Sequence, residues 1–275
     1  MKLTLVALLI GCQGEEVKAN SSDASSSDVA SDVSSSDVAS DGAPDVSSDT
    51  PTTGGTCPGY RVGTTDMVKI DSFCIDVTEV THGQWKTFAA AADRKTFVPS
   101  HCDWNKTDPP IDPSSAKDDW PRDNVNFCDA KTYCAWAGKR LCGKIGGGST
   151  PKADFADPAK DQWQRACSNG GKTKYPYGDA YDATKCATGM INVTRIKSFP
   201  ECHGVDAPYK DILDMSGNAE EWEDACETPA PASSTLCNER GGETGDGSKA
   251  SCANFHDGQA DARFDALGFR CCKDI

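Results

Sequence analysis

Fifteen cysteines in 275 residues constrain this chain more than any other feature. Disulfides persist in oxidising compartments and are rare in the cytosol. The other common use of so many cysteines is zinc. No C-x2-C pair occurs, however, and the four histidines, His82, His101, His203 and His256, are scattered, so zinc-site spacing is absent. The count therefore predicts an exported domain stapled by disulfides. It is also odd, which leaves one cysteine over for another role.

Cys12 fits that role. Lys2 precedes an apolar run that stops at Leu9-Ile10-Gly11-Cys12. The run falls short of the roughly 20 apolar residues that span a bilayer and matches the apolar region of a signal peptide. The tetrad reads as a lipobox, in which Cys12 is lipidated and becomes the new N-terminus. Removing Cys12 leaves an even set that can pair completely. Residues 1–11 are thus read as a lipoprotein signal peptide, with the membrane engaged through the lipid anchor only. Gln13, where retention at the inner membrane favours Asp, points to the outer membrane or cell surface.

Residues 12–60 read as a stalk. Ser, Asp, Val and Ala dominate, and the octet Ser-Ser-Ser-Asp-Val-Ala-Ser-Asp occurs at 25–32 and again at 34–41. Such a segment cannot bury enough surface to offset the entropy of ordering it. Its flexible-coil reach over some 40 residues is about 35 Å. The formal net charge of the chain is -14, and residues 1–54 hold two lysines against nine acids, half of the excess. That balance excludes nucleic acid as a partner, since cationic contacts to phosphate dominate such binding.

Residues 61–275 have the length of one domain. Thr81 and Gln84 fit a capping box that opens a helix running to about Ala92. Asn126 caps a second helix over 127–137, with Gly138 just past its end. Asp157-Pro158 suggests a third helix carrying Trp163 and Cys167. Strands are expected over 67–75 and 267–272. Trp85, Trp136, Trp163 and Trp222 are expected in the core. Trp104 and Trp120 flank a Pro- and Asp-rich loop that could border a recognition surface. The fold class is α+β with much irregular structure.

Four segments, in order, resemble the formylglycine-generating enzyme, or sulfatase-modifying factor, family. They are Cys74–Thr81; Asp129–Leu141 with Trp163–Cys167 and Tyr175–Gly178; Asp214–Trp222; and Arg240-Gly241-Gly242 closing with Gly268–Cys271. The resemblance implies a C-type-lectin-like α+β fold with little regular secondary structure. It also implies disulfides Cys134–Cys271 and Cys167–Cys252. Local spacing suggests Cys226–Cys237, Cys186–Cys202 and Cys74–Cys102, and Cys128–Cys142 with Cys57–Cys272 would complete the set.

The D-x-x-G-x-x-x-E run from Asp214 to Glu221 can aim two carboxylates and two carbonyls at one point, an all-oxygen set suited to calcium. The resemblance assigns the side chains of Asp214 and Glu221 and the carbonyls of Gly217 and Ala219 as ligands. The competing reading is that Asp214 caps a turn and Glu221 pairs with a buried arginine. The family's oxidases hold copper(I) with two cysteines. Here Glu243 stands at the family's serine, Asp246 at the first copper cysteine and Ser251 at the second, with Cys252 one residue beyond. One thiolate cannot form a two-sulfur site, which argues against copper. Glu243, Asp246 and Cys252 remain the candidates for any divergent catalysis. His82 is read as a surface residue and not a ligand. Three functions follow: a sulfatase-modifying-factor domain without copper-dependent cysteine oxidation, a lectin-like module that binds an unidentified peptide, protein or glycan, or a divergent oxidase.

Overall fold

The computed structural model describes residues 57–111 and 117–275. The signal peptide, Cys12 and almost all of the stalk lie outside the described residues. Among these residues no helix is long and apolar enough to cross a membrane.

Two antiparallel strands open the domain, β1 (Met67–Ile70) and β2 (Phe73–Asp76). The stretch expected as one strand is broken because Asp71 takes a φ of 50°, and the chain turns through Asp71-Ser72 to pair Ile70 with Phe73. Asp tolerates this left-handed conformation better than most residues. Helix α1 (His82–Ala90) starts at the Thr81–Gln84 capping box, with both reciprocal bonds formed. Helix α2 (Phe127–Trp136) starts at an equivalent box made by Asn126 and Asp129. Its last turn is closed by Gly138 at a φ of 76°. Helix α3 covers only Gln162–Cys167 and is capped by Asp161. The Asp157-Pro158 start is thus corrected: Asp157 caps a preceding turn, its carbonyl accepting the N–H groups of Lys160 and Asp161.

The remaining strands are β3 (Arg140–Leu141), β4 (Glu220–Cys226), β5 (Leu236–Arg240), β6 (Phe255–Gln259), β7 (Leu267–Phe269) and β8 (Cys271–Asp274). They form two four-stranded sheets, ordered β1-β2-β8-β3 and β6-β5-β4-β7. The C-terminal stretch expected as one strand is two. Strand β7 runs parallel to β4 in one sheet, while β8 pairs with β2 and β3 in the other. Arg270 is the single residue between them, so its side chain sits where the sheets diverge.

The four tryptophans expected inside are inside: Trp85 and Trp136 are nearly buried, and Trp163 and Trp222 fully so. Trp85 stacks on Tyr133 at 5.8 Å, and Phe88 meets Tyr133 and Trp136 edge-on. These contacts weld α1 to α2, and Phe269 of β7 joins the same cluster. Each such ring pair adds about 0.5–1.5 kcal/mol beyond its area burial.

All fourteen cysteines from Cys57 onward are paired. Cys134–Cys271, Cys167–Cys252, Cys186–Cys202 and Cys226–Cys237 have the partners read from the sequence. Three expected pairs are corrected. Cys57 joins Cys74, Cys102 joins Cys128, and Cys142 joins Cys272. Cys74–Cys102, Cys128–Cys142 and Cys57–Cys272 do not form because β8 lies between β2 and β3. That order delivers Cys272 to Cys142, beside the Arg140–Cys272 register pair, while Cys128 on α2 faces the loop after α1.

Candidate functional site

The turn from Asp214 to Asn218 carries the strongest local signal. Asp214 and Asn218 take φ values of 60° and 63°, and Gly217 lies packed on Ala187, whose carbonyl would meet a Cβ at 2.5 Å. The Asp214 carboxylate accepts the Lys197 N–H at 2.7 Å, and Asn218 donates to Glu79 at 2.9 Å. Glu221, at the start of β4, takes Arg270 instead of an open site. Both its oxygens accept from the guanidinium at 2.7–2.9 Å, and Oε2 also accepts the Trp163 indole N–H at 2.8 Å.

Three buried carboxylates, Glu79, Asp214 and Glu221, therefore face one guanidinium. Burial pushes Asp214 up to about 6, and burial with the Asp214 charge pushes Glu79 well above the usual carboxylate range. Among the described residues Glu79 Oε2 has no hydrogen-bond partner. Charge balance and this orphaned oxygen fit a cation beside Asp214. The Glu221 carboxylate does not fit, because four N–H contacts fill the lone-pair sites a carboxylate offers. Calcium would have to displace an Arg270 contact to use it. Glu79 carried no spacing signal, and its place in the cluster comes from β2 folding back against the turn.

A groove of about 860 Å³ is lined by His82, Trp120, Arg122, Asp123, Ile191 and Glu243 among others. His82 is corrected from the surface reading: it is nine-tenths buried, and its ring nitrogens face Arg122 Nη1 at 3.4 Å and Asp123 Oδ1 at 3.5 Å. Burial raises Asp123, but hydrogen bonds from His82 and the Ala266 N–H, together with the charges of His82 and Arg122, hold it below its ordinary value. Arg122 lies over the Trp85 ring at 5.1 Å, and burial brings it down to about 10, so it stays charged at neutral pH. Among the described residues the buried Trp120 indole N–H has no acceptor. Trp104, on the other side of the loop, instead donates to the Pro231 carbonyl.

The three catalytic candidates do not converge. Glu243 lines the groove. Asp246 turns back on the loop, where one oxygen accepts the Glu243 N–H at 3.1 Å. Cys252 is fully buried and bonded to Cys167. Its reading as a reactive thiol is corrected, since a disulfide sulfur is neither a nucleophile nor a thiolate ligand. Arg240 underlies this loop with both its own charge and its surroundings buried; it pairs with Glu223 at 2.8 Å and donates to the Gln164 side chain and the Cys252 carbonyl.

The sequence profile of the sulfatase-modifying factor enzyme 1-like domain matches residues 49–275. The chain belongs to that family. This sulfatase-modifying-factor domain is 27% identical over 175 residues to the inactive C-alpha-formylglycine-generating enzyme 2 of Bos taurus, covering 56% of the chain and 50% of the bovine protein. It is 26% identical over 168 residues to the Mus musculus protein of the same name, covering 54% and 47%. The chain spans about half the length of the curated relatives it matches. The crystal structure of CarF shares the fold, with a TM-score of 0.50 and 20% identity over 74% of this chain and 86% of CarF. In the present family member the residues do not fit copper. The site needs two thiolates, and every cysteine among the described residues is in a disulfide.

Proposed function

We propose that this chain is an exported, lipid-anchored sulfatase-modifying-factor domain that does not oxidise cysteine through copper. The Cys167–Cys252 disulfide is the observation that supports this reading most directly. It occupies the one sulfur that the expected copper segment retains. The curated relatives' name, inactive, runs the same way for those proteins. Anchoring rests on the Cys12 lipobox and on the cysteine parity. Incubation with a Cys-x-Pro-x-Arg peptide, followed by mass spectrometry, should show no conversion of the peptide thiol to an aldehyde. Turnover with added copper(I) would overturn the reading and restore the divergent oxidase.

The groove favours a second element, recognition of a peptide or glycan at the cell surface. Trp120 offers a half-buried aromatic face, and Arg122 and Asp123 offer charge within the same cleft. Calcium at the Asp214 turn is part of this proposal, with the Gly217 and Ala219 carbonyls and Glu79 completing an oxygen set. Binding to peptide and glycan arrays should fall on Trp120→Ala. A chelator should lower the thermal midpoint, and an unchanged midpoint would remove calcium from the scheme.

A further inference from the structure

Glu220, Glu239 and His256 come from three neighbouring strands, β4, β5 and β6, and meet on one face of the second sheet. The register brings them there. Glu239 stands opposite both Trp222 and His256, and Glu220 precedes Trp222 by two residues, so all share a face. One donor atom from each residue lies within 4.8 Å of the others, and His256 Nδ1 is 2.6 Å from Glu220 Oε1. Glu239 is only 6% exposed, and its buried Oε1 has no hydrogen-bond partner among the described residues. Gly258 leaves the room for it: a Cβ at that position would lie 1.8 Å from this oxygen.

Among the described residues neither carboxylate has a lysine or arginine partner; the His256 imidazole is in contact with Glu220 and faces solvent on one side. Burial pushes Glu220 up to about 8, helped by Asp246 and Glu243, and pushes Glu239 up to about 7, helped by Glu220. The cluster holds two buried acids and lacks positive charge. An imidazole with two carboxylates suits a first-row divalent ion, whereas calcium takes oxygen alone and copper(I) prefers sulfur.

We propose that Glu220, Glu239 and His256 bind one divalent transition-metal ion, with zinc as the probe. Ligands about 2.0–2.2 Å from a tetrahedral zinc stand roughly 3.3–3.6 Å apart, so the widest present spacing closes by up to about 1.5 Å and the His256–Glu220 pair opens by about 0.7–1 Å, both within reach of side-chain rotation. Three protein ligands leave a coordination position open toward the exposed side of His256. Glu220 lies within the Asp214–Glu221 run but is not one of its assigned calcium ligands, and the copper segment contributes no residue to this site.

The test uses the full chain, stripped with chelator and titrated with zinc by calorimetry at pH 7.5 in excess calcium, which saturates the acidic stalk. One equivalent is expected to bind. Glu239→Gln and His256→Ala should each weaken it at least about 100-fold, while Asp206→Asn, at an exposed acid, leaves it unchanged. Far-UV dichroism in chelator verifies that the variants are folded, and His256→Gln replaces His256→Ala if that variant is not. Zinc binding that persists unchanged in folded Glu239 and His256 variants would overturn the proposal. So would the absence of stoichiometric binding in the wild type.

Discussion

Asp76 and Lys139 form an ion pair with no solvent exposure of either side chain, 2.6 Å from Nζ to Oδ1. Asp76 Oδ2 accepts the Cys271 N–H at 2.9 Å, and Lys139 also donates to the Thr65 carbonyl. The pair thus ties β2, the end of α2 and β8 together. Burial pushes Asp76 up to about 6, with Lys139 as the main opposing influence. Against the ordinary value of 3.8 that is about two pH units, or ~3 kcal/mol of cost for ionising Asp76 in the fold. The folded-state value is raised, so this group destabilises as pH rises from about 4 to about 6. Lys139→Met removes the compensating charge and moves the upper limit of that window higher. The expected loss is about 3–5 kcal/mol at pH 8, where Asp76 is left as an unpaired buried anion. At pH 5 Asp76 is protonated, and the loss should shrink to about 1–2 kcal/mol. The double variant Asp76→Asn with Lys139→Met keeps an acceptor for Cys271 and should recover most of the loss. Urea unfolding at both pH values, disulfides intact, followed by far-UV dichroism, measures each quantity. An equal loss at pH 5 and pH 8, or a loss below about 1 kcal/mol at pH 8, would refute the reasoning.

Other outcomes follow from the same structure. Cys134–Cys271 and Cys142–Cys272 close loops with sequence separations of 137 and 130 and lie side by side. With one intact, removing the other opens a loop of only about ten residues, worth ~3 kcal/mol, whereas removing both opens the long loop as well. Thermal and urea unfolding of single and double Cys→Ala pairs should therefore show a combined loss greater than the sum. Asn126→Ala deletes the side-chain half of the α2 capping box and should cost about 1–2 kcal/mol, with Thr81→Ala at α1 costing about 1. Trp163→Phe removes a donor from Glu221 and leaves a small cavity where the larger indole is fully buried, and should cost about 2–4 kcal/mol at neutral pH in chemical denaturation.

Much of the helical framework was legible because its determinants are local. A capping box is complete within four residues, so Thr81 with Gln84 and Asn126 with Asp129 announce α1 and α2 wherever the rest of the chain goes. The third start was misread because Asp157-Pro158 and Asp161 both offer capping chemistry, and only packing of Trp163 and Cys167 selects the later one. Of the calcium set, Asp214 was placed in a tight turn as its spacing suggests. Glu221 was drawn to Arg270, a partner 49 residues away that no local pattern links to it.

The amino-acid sequence by itself determined the family, the α+β class, the starts of the first two helices and the even count that lets fourteen cysteines pair, because motif order, caps and parity are properties of the linear chain. Tertiary structure decided which cysteines meet, since β8 inserts between β2 and β3 and carries Cys272 to Cys142. It also decided which acids are counter-ions and which lack partners. Glu220, Glu239 and His256 are unremarkable in the chain and become a cluster only through strand register, because side chains that share a face of a sheet are set by pairing across strands and not by distance along one.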